Sequence, residues 1–394
     1  METRSVAGGG QFLNAQKTTL VLYYVAFTFY VSVYILSYTT IQLGSAVTLV
    51  NGLCLLLLVL KFLTQHLNIK RLLFSAALVL IGFVSWRTTT DMNLLMLFAF
   101  VVCGEGVDVK ALAKIVICVE LIAIVFVSTL SVFGVIQSVT RIRQDGTIGT
   151  SLGFSHPNRL GSNVLALCCS YAVVRYPHFR FRDLFIYIAA ALFVTVVTDS
   201  RTSTNLIVFV PVVSWAFCFA SKRRNVRPFI IALSLVLLAL VSLSFFFMMN
   251  YDSADTSMVE FSNNMSGRPY FMNFYYKLYP PTLFGYNLNG MVRNAFGMEG
   301  VTIDNAYAKL LIVFGYIPSI VFYMLYIGIF ARAFRRNQLD ACMLGIFIYG
   351  CMGATEWQSM HFAMNYCLVG FSALLFAGLA QHPLSKRIES HGSH

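Results

Sequence analysis

Stretches of about twenty consecutive apolar residues, the length an α-helix needs to cross a bilayer, recur along the whole chain. Such a segment has few alternatives. Backbone amides and carbonyls placed in hydrocarbon must be paired within the segment, so the chain reads as a bundle of membrane helices. Composition agrees: 11% of residues are charged and 58% are hydrophobic, with a mean hydropathy of +0.73, against roughly 25% charged residues in a soluble domain. The short alternating segments of a membrane barrel are not visible. The spacing predicts about twelve spans, centred on residues 19–36, 46–63, 72–86, 94–103, 116–135, 160–174, 184–197, 205–220, 229–249, 306–330, 341–352 and 362–379. The predicted fold is all-α and polytopic, one integral membrane domain over residues 1–394. No internal repeat stands out, which gives no support to a transporter of two matched halves. Residues 1–16 are polar and Gly-rich, so the first apolar run reads as a retained span rather than a signal peptide. The terminal Gly392-Ser393-His394 reads as an addition outside the fold.

The net charge of +12 could suggest nucleic acid, but the charges fall between apolar runs, as orientation signals do. With a cytoplasmic N-terminus, the basic clusters at 61–71, 110–114, 175–182, 222–227, 332–336 and 386–387 all face the cytoplasm. Both termini are then inside, and the long polar segment 250–305 lies outside, before the tenth span. Loops of that length usually carry function. Arg87, Arg141, Arg143, Arg159, Arg201, Arg268, Lys277, Arg293 and Lys309 fall on the outer side, against the orientation rule. Most are arginine, whose planar fork suits two-point binding of phosphate. Pairing with Asp145, Asp199, Asp255, Glu260 or Glu299 is the plainer explanation for any single one. The nine cysteines form no CxxC or Cys/His cluster and read as apolar core residues.

Three polar motifs sit at outer span ends. In the first, 150–161, Pro157 fits the first position of a helix with Ser155 or His156 near the cap; the exposed amides, with Arg159, suit a phosphate. Asn158 is equally explained by helix capping. The second, Thr198-Asp-Ser-Arg201-Thr-Ser203, joins two spans with almost no loop, which sets Arg201 at the membrane boundary. The third is the long segment, with Ser266-Gly-Arg268, an aromatic run from Tyr270 to Tyr279, and Ile303-Asp304-Asn305-Ala306-Tyr307. Its rings can stack on sugars or rest at the interface. Asp304, at the start of a span, would be partly desolvated.

The ordered set Gly153-Phe-Ser-His-Pro-Asn158, Ser200-Arg-Thr202, Ser266-Gly-Arg268, Gly285-Tyr286 and Ile303-Asp-Asn-Ala-Tyr307 resembles the motif series of Wzy-type polysaccharide polymerases, of the O-antigen ligase superfamily, over about residues 110–330. The resemblance implies a plasma-membrane glycosyltransferase that polymerises undecaprenyl-diphosphate-linked oligosaccharide repeats into capsule, exopolysaccharide or O-antigen. The growing glycan would pass to an acceptor sugar hydroxyl on another lipid-linked repeat. Its partners would be the lipid-linked donor and acceptor, the bilayer, a chain-length regulator and a flippase, with no nucleic acid. The ligase relatives carry a histidine where this chain has Asp304-Asn305, which favours polymerase over ligase. On this reading Arg201 and Arg268 hold the leaving diphosphate with Arg141, Arg143 and Arg159 as helpers. Asp304 takes the acceptor proton, and His156, Asn158, Asn305 and Tyr307 bind substrate. No cofactor or metal is expected, since arginines can replace a divalent ion. A ligase-like transferase and a lipid-linked oligosaccharide flippase remain alternatives.

Overall fold

A computed structural model describes residues 6–65, 68–142, 146–288 and 303–375. The helices in order are α1 (Val6–Ser37), α2 (Ala46–Phe62), α3 (Ile69–Thr89), α4 (Asn93–Val102), α5 (Val109–Val132), α6 (Pro157–Arg175), α7 (Leu184–Phe193), α8 (Arg201–Ser221), α9 (Arg227–Asn250), α10 (Thr256–Asn264), α11 (Arg268–Leu278), α12 (Ala306–Lys309), α13 (Tyr316–Arg336), α14 (Ala341–Met352) and α15 (Ser372–Leu375). Seven segments are long and apolar enough to cross a membrane: Thr19–Ser37, Ile69–Thr89, Val109–Val132, Phe181–Thr198, Arg201–Ser221, Arg227–Asn250 and Tyr316–Arg336. This is a multi-pass α-helical membrane protein.

The expected count of twelve is not reached, and the shortfall has a physical cause. Hydropathy does not distinguish a helix wrapped by lipid from one wrapped by protein. The 10 residues of α4 rise only about 15 Å, and Leu94–Val102 are all buried in the bundle. Helix α14 is likewise a 12-residue core helix, and α2, at 17 residues, falls just short. Helix α6 is long enough, but it is a central helix that packs on α5, α8 and α14 and carries Ser162, Asn163 and Ser170 into the core. The expected twelfth span is not a regular helix among the described residues. A 3-10 turn at Trp357–Met360 precedes it and another, Tyr366–Phe371, lies within it, almost wholly buried. Irregular backbone at membrane depth is tolerated only where protein or a polar cavity covers it.

The tenth expected span is also broken. Helix α12 passes into a π-helical turn, Leu310–Phe314, and stops at Gly315, whose φ of +87° favours glycine. Any side chain there would strike the backbone of Thr282 and Phe284. Gly285-Tyr286 thus packs against the start of α13, with the Tyr286 amide donating to the Val313 carbonyl at 3.0 Å.

Up to residue 288, the long segment contains two short helices. Asp255 caps α10 by accepting from the amides of Ser257 and Met258. Helix α11 lies on α9, with Asn273 Nδ2 donating to the Met248 carbonyl at 2.9 Å. Arg293 and Glu299 lie outside the described residues. An antiparallel hairpin, β1 (Thr140–Ile142) and β2 (Ile148–Thr150), is an unforeseen addition. All nine cysteines are free; Cys118 is exposed on α5, whereas the sequence placed it in the core.

Candidate active site

The site forms at the end of the bundle where α6, α8 and α11 begin. Pro157 is the first residue of α6 and His156 its N-cap, the ring Nδ1 accepting from the Asn158 amide at 3.1 Å. One turn on, Gly161 has Ser200 and Ser203 so close that a Cβ would lie 2.9 Å from the Ser200 Cβ. That approach brings the 150–161 and 198–203 motifs together. The hairpin rests on the same turn, where Thr147 donates to Asp199 Oδ2 at 2.7 Å.

Arg268 joins these to the late motif. Ser266 and Gly267 both have positive φ, 57° and 78°, a pair of left-handed residues that turns the chain from α10 into α11 and sets Arg268 at the helix start. Its side chain is 11% exposed; Nε lies 3.8 Å from Asp304 Oδ2 and Nη2 lies 3.6 Å from Glu356 Oε1. Nη2 also donates to Thr202 Oγ1 at 3.4 Å. One guanidinium thus touches three chain segments.

The two carboxylates differ in surroundings. Asp304 is 42% exposed and Glu356 10%. Burial pushes the Glu356 carboxyl from 4.5 up to about 7, Asp304 adds to the rise, and Arg268 and Arg159 oppose it. Lys309 lies beside them, Nζ 3.4 Å from the centroid of the Trp357 ring. Burial lowers its ammonium to about 8, against the pull of Asp91 and Asp304. His361 stacks on Tyr30 at 5.5 Å; burial, Lys309 and Arg159 push it down to about 3, so it is neutral.

Arg159 sits 4.1 Å over the Tyr38 ring, with Nη1 buried and unbonded. Arg141 Nη1 is 2.9 Å from His156 Nε2. A neutral imidazole has one acceptor nitrogen, so it can serve the Asn158 amide or Arg141 but not both. An anion oxygen between Arg141 and Nε2–H would accept from each. Arg201 begins α8 and is exposed. Arg143 lies outside the described residues. Among the described residues no group of three or more His, Cys, Asp and Glu is placed to hold a metal ion.

Asn305 and Tyr307 point into the bundle. Asn305 caps α12 through the Ala308 amide at 2.9 Å and donates to Ser244 Oγ at 2.8 Å and to the Ala354 carbonyl at 2.9 Å. The Tyr307 hydroxyl donates to the Gly350 carbonyl, and the Ala306 amide bonds the Gly353 carbonyl at 2.7 Å. These bonds fix Asp304 relative to Glu356. Asn305→Ala is therefore expected to cost about 2 kcal/mol, the sum of a lost cap and orphaned buried partners. Thermal unfolding in detergent measures it; an unchanged midpoint would show that the ties carry no load.

Sequence reasoning overlooked Glu356, Trp357 and His361 and gave Lys309 no role. The available signal was the polar run Thr355-Glu-Trp-Gln-Ser-Met-His361 between the last two apolar segments. Between α11 and the turn after α9 lies a further pocket of about 400 Å³, lined by Tyr251, Asp252, Tyr270, Asn273, Phe274 and Lys277 among others.

The fold and site define a multi-pass membrane protein with a cationic, acid-bearing cluster at one end of its helices. No known family, curated protein or solved structure matches the chain.

Proposed function

We propose that the chain is a membrane glycosyltransferase that polymerises undecaprenyl-diphosphate-linked repeat units on the outer face of the plasma membrane, its termini in the cytoplasm. The observation that carries this reading is Arg268, held among Thr202, Asp304 and Glu356. It joins three of the motifs that resemble the polymerase series to a buried acid.

The acceptor hydroxyl oxygen attacks the anomeric carbon of the donor glycan. The bond from that carbon to the diphosphate oxygen breaks, and the diphosphate leaves with the electron pair. Arg268 and Arg159 neutralise the charge as it grows, with Arg141 and Arg201 as helpers; preorganised cations act in this way without a metal. The acceptor proton goes to a carboxylate within reach of Arg268. Glu356, whose carboxyl is pushed up to about 7, suits that role, because a base works best with a pKa near the operating pH. Asp304 then holds Glu356 poised, and Asn305 and Tyr307 act by positioning both. The pocket beside α11 supplies aromatic faces and polar groups of the kind that hold a sugar.

Reconstitution tests the reading. Purified protein with lipid-diphosphate-linked repeat unit is expected to give a ladder of polymer on a gel. A single transfer to a different lipid acceptor would replace the reading with a ligase, and transbilayer movement without any product would replace it with a flippase.

A further inference from the structure

A cleft of about 560 Å³ opens between α9 and α13 and reaches the end of the bundle opposite the candidate site. Its walls are apolar, including Leu237, Leu238, Phe322, Tyr326 and Phe330, and it runs from Tyr307 to Arg335. The α13 wall, from Phe322 to Arg335, is about 20 Å long at 1.5 Å per residue. That exceeds half of a roughly 30 Å hydrocarbon core. Leu238 and Ile327 on its rim are exposed, so the cleft opens sideways, towards lipid.

Its mouth is strongly basic. Asn337 ties the end of α13 to the α8–α9 turn, donating to the Arg224 carbonyl at 2.8 Å and accepting from the Val226 amide at 2.9 Å. This clamps Lys222, Arg223, Arg224 and Arg227 against Arg335 and Arg336. Arg227 reaches over the mouth: Nε donates to the Phe334 carbonyl at 3.2 Å and the guanidinium lies 5.4 Å from the Phe334 ring centroid. Arg227 is exposed there. The acid at this turn, Asp340, caps α14 by accepting from the Met343 amide at 2.7 Å. No carboxylate among the described residues pairs with Arg227 or Arg335.

An apolar slot with a cationic mouth matches a hydrocarbon chain with an anionic headgroup. We propose that this cleft seats one acyl chain of an anionic phospholipid, with Arg227 and Arg335 holding its phosphate. Basic pockets between membrane helices select such headgroups. The headgroup mouth is separate from the glycosyl-transfer site, whose arginines lie at the other end of the helices, although Tyr307 lines the inner end of the cleft.

The test is competitive lipid retention. The full chain, delipidated in detergent, is equilibrated with equal amounts of phosphatidylglycerol, phosphatidylethanolamine and undecaprenyl phosphate, and bound lipid is counted by native mass spectrometry. Phosphatidylglycerol is expected to be retained about 30-fold over phosphatidylethanolamine, equivalent to about 1 kcal/mol for each arginine. In the Arg227→Gln/Arg335→Gln protein it is expected to fall to the phosphatidylethanolamine level. Leu238→Trp, which fills the cleft and leaves both arginines in place, is expected to lose it too, so the test stands even if the double variant folds poorly. Equal retention of the two phospholipids, undiminished retention in a folded variant, or displacement by undecaprenyl phosphate would overturn the proposal.

Discussion

Arg268→Ala is expected to lower polymer formation about 10³-fold or more. Removing one preorganised group that meets developing charge typically costs 10² to 10³ in rate. Here the same side chain also compensates two carboxylates, Asp304 at 3.8 Å and Glu356 at 3.6 Å, and a half-paired acid left in a buried place is strongly disfavoured. Arg268→Lys should recover little. A single ammonium cannot reach Thr202, Asp304 and Glu356 together as the planar fork does. Rates from reconstituted vesicles, compared with an exposed control such as Arg87→Ala, separate the site from a general effect of charge. A variant that polymerises at the parent rate would remove Arg268 from the mechanism.

Glu356→Gln is expected to cost a factor of about 10² to 10⁴, the usual contribution of a positioned base. The parent rate should rise with pH through about 7, as Glu356 gives up its proton, and that limb should vanish in the variant. Two further variants fix the assignment by sign. Asp304 helps to raise the Glu356 carboxyl and Arg268 opposes the rise. Asp304→Asn should therefore move the limb to lower pH, and the residual activity of Arg268→Ala should move it higher. A limb that stays near 7 in Glu356→Gln and disappears in Asp304→Asn would transfer the base to Asp304. Stability carries the opposite trend. The folded carboxyl sits at about 7 against 4.5 when free, so between these values the folded state holds more proton than the unfolded state. Stability contributed by this group is full below 4.5 and is lost as pH rises through 7. Glu356→Gln should flatten that part of the melting profile.

Much of the site's membership could be read from residue order. Ser266-Gly-Arg268, Thr202 and Asp304 do converge, and Pro157 and His156 take the helix-start positions that capping chemistry assigns them. Hydropathy misled in the segments where protein replaces lipid as the surroundings: α4 and α14 are apolar because they are internal. Glu356 and His361 were missed for a different reason. They stand between the spans expected at 341–352 and 362–379, on a connection that was given no role, and 3-10 turns and side-chain bonds fold it into the bundle. The inward use of Asn305 and Tyr307 was equally invisible. Their partners, Ala354 and Gly350, lie more than forty residues away, and only the fold makes them neighbours.

The ties between α12 and the turn after α14 have a mechanical consequence. Asp304 and Glu356 belong to one frame, cross-braced through Ala306–Gly353, Asn305–Ala354 and Tyr307–Gly350. Arg268 belongs to another, the α10–α11 arm, and meets the frame through long ion pairs. Displacing that arm would change the charge balance of both acids at once while leaving their separation intact. The bundle thus keeps the spacing of its proton carriers apart from the control of their ionisation.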